Sequence, residues 1–152
     1  MTAPAAKSVL QENLAGLRQA LATLERTWQE AQALGAGPVY TDRELDLIEV
    51  LAGRFARTTD FLVNKVLRSL DRFELEPEGT LIDVINRAEK RGVIASARDL
   101  RRMKELRNEI AHEYLPSGQI ELLADLKIHV LMLLEAGKRT LAHASRALKN
   151  AP

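Results

Sequence analysis

Arg107, Asn108, His112 and Tyr114 stand within eight residues of one another, in the segment Leu106-Arg107-Asn108-Glu109-Ile110-Ala111-His112-Glu113-Tyr114. They supply a permanent cation, an amide, an imidazole that gains or loses a proton near neutrality, and a phenol. At about 100° per residue, Leu100, Met103, Leu106, Ile110 and Ala111 fall in one sector, the core face of a helix. Arg107 falls inside that sector, and Tyr114 lies roughly 20° from Arg107. Arg101, Arg102, Glu105, Asn108, Glu109 and His112 take the opposite, polar side. A guanidinium on an apolar stripe is costly to desolvate unless it is paired. A local conflict of this kind in an otherwise consistent pattern tends to mark a site. The bland alternative is that Arg107 snorkels, or pairs with a carboxylate such as Asp60 or Glu49 on a neighbouring helix. Asp60, beside Thr58 and Thr59, is the expected partner.

The elements that must position these residues are helical. Leu10, Leu14, Leu17, Leu21, Leu24, Trp28 and Ala31 step alternately by four and three, keeping one stripe on a partner helix until Gly35, Gly37 and Pro38 stop it. Thr41 and Glu44 have the spacing of a capping box and open a second helix. It carries Ile48, Leu51, Phe55, Leu62, Val66, Leu70 and Phe73, and ends before Pro77 and Gly79. Thr80 and Asp83 open a short third helix, closed by Gly92. Ser96 and Asp99 open a fourth, which carries the segment above to about Tyr114, where Pro116 and Gly118 break it. Ser117 caps a fifth, with Ile120, Leu123, Leu126, Val130, Leu133, Leu141 and Leu148 along it. No sustained alternation of apolar and polar residues predicts a strand. The expectation is an all-α, single-domain, up-and-down bundle of about five helices over residues 1–152, frayed over 1–7 and 147–152.

Composition excludes several function classes. A length of 152 residues suits one domain with a real core. The absence of cysteine removes disulfides, thiolate catalysis and zinc ribbons, and fits a reducing compartment. A hydrophobic share of 46% with 28% charged residues is wrong for a disordered chain. Met-Thr-Ala-Pro-Ala-Ala-Lys has no apolar core and does not read as a secretory signal, and no apolar run approaches a membrane span. A soluble, cytoplasmic protein is expected. His129 and His143 are too far apart to chelate within one turn, so no metal site is expected. Gly16, Gly53 and Gly137 stand singly within helices, so no phosphate loop is expected, and no cofactor. The net charge of +1 offers no global field, but Arg87 to Arg107 holds eight basic residues against three acidic ones, a local +5 that leaves −4 for the rest. That stretch is either a solvated face with internal ion pairs or a phosphate-binding surface.

The segment reads R-x-x-x-x-H-x-Y, with asparagine directly after the arginine. It resembles the signature of HEPN domains, and in particular of the HepT-type toxins; its late place in an all-helical chain also fits. The motif covers only Arg107 to Tyr114, the architecture most of the chain. The resemblance implies a metal-independent endoribonuclease, the toxin of a toxin–antitoxin pair, whose composite site lies at a homodimer interface. RNA brings its own nucleophile, the 2′-hydroxyl. His112 is then the proton-transfer group and Arg107 the bidentate phosphate ligand, with Asn108 and Asp60 in support. Arg101, Arg102 and Lys104 are expected to bind RNA phosphates. Tyr114 is, by the same resemblance, the residue that a nucleotidyltransferase (MNT-type) antitoxin modifies with AMP. Arg107 and His112 are five apart and point about 140° from each other on a regular helix, so the helix must loosen near His112. A twofold dimer would supply a second imidazole. Two alternatives remain: a non-catalytic HEPN-like module that binds nucleotide or the nucleotidyltransferase, and a plain helical scaffold with Arg107 in an intrachain ion pair.

Overall fold

The structure, a computed structural model, describes residues 2–112 and 118–152. Among these residues it is all-helical, with five helices and no strand. Helix α1 spans Ala3–Ala31. Helix α2 runs without a break through an α stretch Asp42–Asp60, a π-helical stretch Phe61–Leu67 and a final α stretch Arg68–Phe73. Helices α3 (Leu81–Lys90), α4 (Ala97–His112) and α5 (Gln119–Asn150) complete the bundle. Helix α1 packs on α2 and α5, α2 also packs on α4 and α5, and α3 lies across the π stretch and α4.

The starts of α2 and α3 are the two expected capping boxes. Thr41 Oγ1 accepts from the Glu44 backbone N–H while Glu44 accepts from Thr41 N–H, and Thr80 and Asp83 repeat the exchange. All seven stripe positions of α1 are buried, and they meet Ile48, Leu51, Phe55, Leu62, Val66 and Leu70 of α2 in one core. Helix α5 closes on α1 at Gly137, where a Cβ would stand 2.6 Å from the Leu21 side chain. Helix α3 stops at Gly92, whose φ of +75° lets Val93 N–H return to the Ala88 carbonyl at 2.8 Å.

Three expectations are corrected. The ends are helical: α1 starts at Ala3 because Thr2 Oγ1 accepts from Ala5 N–H and Pro4 needs no donor partner in a first turn, and α5 continues to Asn150. Ala6 is buried, so residues 1–7 are not simply a frayed tail. The second helix is not uniformly α. At about 100° per residue the buried positions Val63, Val66, Leu67 and Leu70 are offset by about 60° from Ile48, Leu51, Ala52 and Phe55. The wider π turns, which carry Val63, Val66 and Leu67 themselves, absorb that offset and keep both sets on the core. Finally, α5 has Gly118 at its cap with no side-chain bond; Ser117, Pro116 and the expected end of α4 at Tyr114 lie outside the described residues.

Candidate functional site

Ser96 opens α4 by accepting from Asp99 N–H at 3.1 Å, and Glu89 of α3 accepts from Ala97 N–H. The start of α4 is therefore fixed on α3. Leu100, Met103 and Leu106 then bury the helix face that packs on α2 and α5. Ile110 is half-buried at the margin of this face and Ala111 is exposed, so the apolar sector narrows toward the C-terminal end.

Lys104 and Arg107, three apart and hence neighbours on the helix surface, both reach one carboxylate of α2. Lys104 Nζ donates to Asp60 Oδ1 at 3.0 Å and Arg107 Nε donates to Asp60 Oδ2 at 2.7 Å. Arg107 Nη1 also donates to Asn108 Oδ1 at 3.3 Å. The Arg107 side chain is 31% exposed and that of Asp60 29%, so the guanidinium lies at the edge of the apolar face rather than within it. Ion pairs this open to water contribute about 1 kcal/mol or less. Their consequence is geometric: two cations are held side by side with one negative charge between them. The cluster keeps a net +1.

Asp60 owes its place to the π turn, since it is the last residue before it. Helix α1 accommodates that turn. Gly16 lies where a Cβ would come within 2.6 Å of the Phe61 ring, and Asn13 Nδ2 donates to the Lys65 carbonyl at 3.4 Å. His112 is exposed, one turn beyond Asn108 on the same polar face. The loosening expected near His112 is not seen: α4 is regular α-helix through His112, so the two positions keep their separation of about 140° on one chain.

The expected phosphate face divides. Arg101 and Arg102 are both exposed, Arg101 donating to the neutral Asn86 Oδ1 at 2.8 Å, whereas Lys104 is half-buried and tied to Asp60. Arg57, exposed one turn ahead of Asp60, adds a cation that sequence reasoning missed. The i, i+3 spacing of Lys104 and Arg107 was the available sign that both would share one acceptor. On the other flank of α4, Glu49, Glu109, Glu121 and Asp125 line a cleft of about 550 Å³ with Leu106 and Ile110 on its floor. Helix α4 therefore has a basic edge and an acidic cleft on different sides, and a polyanion is drawn to the edge and repelled by the cleft. Glu49, the other carboxylate considered for Arg107, belongs to that cleft.

The remaining imidazoles lie elsewhere. His129 is buried with Nδ1 at 2.8 Å from the Asp125 carbonyl, and His143 Nε2 is 3.2 Å from Glu74 Oε1 at the far end of α2. Among the described residues no group of three or more histidines or carboxylates stands close enough to hold a metal ion, and no helix is long and apolar enough to cross a membrane. Tyr114 lies outside the described residues. Comparison of the chain with protein families, with curated proteins and with solved structures found no match.

Proposed function

We propose that this chain is a HEPN-like, HepT-type endoribonuclease, the metal-independent toxin of a toxin–antitoxin pair, and that its composite site is completed by a second copy of the chain. The observation that carries this reading is the run of hydrogen bonds from Lys104 through Asp60 and Arg107 to Asn108, with His112 exposed one turn farther along. It leaves a positive, water-accessible surface beside a titratable ring. In the proposed reaction the 2′-oxygen of RNA attacks the adjacent phosphorus and the bond to the 5′-oxygen breaks. One imidazole accepts the 2′-hydroxyl proton and another protonates the leaving oxygen. Arg107 and Lys104 hold the phosphate oxygens as negative charge builds on them. His112 supplies one proton-transfer group per chain, and the second comes from His112 of the other copy.

The same reading makes a nucleotidyltransferase the antitoxin. It transfers AMP from ATP to the Tyr114 hydroxyl with release of pyrophosphate, which adds a bulky anion to the segment that carries Arg107 and His112 and blocks RNA. A cytoplasmic setting follows from such a substrate. A second reading is a non-catalytic module that binds nucleotide or the nucleotidyltransferase and cuts nothing; the Arg107–Asp60 pair itself is what a plain helical scaffold predicts. The test is cleavage of single-stranded RNA in EDTA by the native protein, Arg107→Ala and His112→Ala. The native protein should cut without added metal, and each variant should lose about a hundredfold or more with helicity retained. RNA bound but left intact by the native protein selects the second reading.

A further inference from the structure

Asp60 presents one oxygen to Lys104 Nζ at 3.0 Å and the other to Arg107 Nε at 2.7 Å. Two oxygens of a phosphate group would accept from these donors in the same way. We infer that Lys104 and Arg107 form a phosphate seat that the chain fills with its own carboxylate, so that a phosphate group binds there by exchange with Asp60. The inference rests on the reading of this surface as RNA-binding and adds to it an internal competitor.

Three observations support exchange over a fixed structural tie. The side chains of Asp60, Arg107 and Lys104 are 29%, 31% and 20% exposed, so an incoming anion meets all three without opening the core. The backbone at Asp60 is ordinary right-handed helix, with φ −61° and ψ −41°, so no backbone strain ties the carboxylate to this position. A diester phosphate carries the same single negative charge as Asp60, so the exchange leaves the net charge of the two cations and their anion unchanged. The bound carboxylate then lowers apparent affinity by the fraction of time it occupies the seat.

The test measures binding, not cleavage. The probe is a single-stranded RNA with 2′-O-methyl groups, which cannot be cut. Asp60→Asn keeps the shape of the side chain and removes its charge. Glu105→Gln, on the exposed face of α4, makes the same change in net charge away from the seat. Exchange predicts that Asp60→Asn binds at least about fivefold tighter than the native chain and clearly tighter than Glu105→Gln. The gain should disappear when Arg107→Met is added. A second measurement needs no variant: the Arg107 Nε–H resonance of the native chain should move as inorganic phosphate is titrated in. Asp60→Asn binding no tighter than Glu105→Gln, or an Arg107 resonance indifferent to phosphate, overturns the inference. Tighter binding by Asp60→Asn with no RNA cleavage by any form keeps the seat and removes the nuclease. Cleavage that depends on Arg107, with no gain in Asp60→Asn, does the reverse.

Discussion

Arg107 differs from the residues that precede it on its own helix face: Leu100, Met103 and Leu106 are buried, and Arg107 stops at their edge with Asp60 and Asn108 as partners. Its pairing was legible because a cation inside an apolar sector demands an acceptor, and Asp60 was the polar interruption of the facing helix. The fates of Arg101 and Lys104 were not legible in the same way. Periodicity says which side of a helix a residue takes, but not that Asn86 or Asp60 waits there on another element. Asp71 illustrates a deeper burial. It is nearly enclosed between Arg87 Nη1 at 3.1 Å and Arg91 Nη1 at 2.7 Å. Burial pushes its carboxyl above the ordinary value of 3.8, with the two guanidiniums pulling the other way. A raised folded-state value means that the folded chain holds this proton more tightly than the unfolded chain. Asp71 therefore favours folding fully below pH 3.8, and that contribution is lost as pH rises through the raised value. Urea unfolding of Asp71→Asn against the native chain should show the variant gaining relative stability from about pH 3 to about pH 6. The opposite slope would mean that the arginines outweigh desolvation.

At the scale of elements, helix starts were read more reliably than helix interiors. Thr41 with Glu44 and Thr80 with Asp83 announce themselves because a cap is a local bond between residues three apart. The π turn of α2 is not local in that sense. Its apolar residues look α-helical in any short window, and only the offset of about 60° between the two halves of the stripe reveals it. The fit of Gly16 against Phe61 depends on another helix altogether. The end of α2 falls where expected, after Phe73 and before Pro77, but the form of its cap was not legible. Leu75 takes the left-handed position that usually belongs to glycine, with φ 62°, while Glu76 N–H returns to the Asp71 carbonyl at 2.8 Å. Its side chain is 88% exposed, so little packing offsets the strain. Leu75→Gly should stabilise the protein by about 1 kcal/mol, read as a higher urea midpoint at unchanged slope. An unchanged or lower midpoint would show that the exposed leucine contributes more than its backbone costs.

The whole molecule has an electrical polarity that its net charge of +1 hides. Lys104 and Arg107 form a basic edge of α4 around Asp60, and an acidic cleft lies between α2, α4 and α5, with Arg54 and Arg57 in a groove beside its Glu49. Only His112 of the three imidazoles accompanies the basic edge; His129 is enclosed in α5 and His143 is occupied with Glu74. One chain therefore offers one ring where the proposed reaction needs two proton transfers, and the proposal assigns the second to another copy of the chain. That requirement can be tested without a structure of the pair. If cleavage needs His112 from both copies, refolding native chains with an equal amount of His112→Ala chains should poison the native ones. Random pairing leaves about a quarter of the dimers with two imidazoles, so about a quarter of native cleavage should remain. If each chain works by itself, about half should remain.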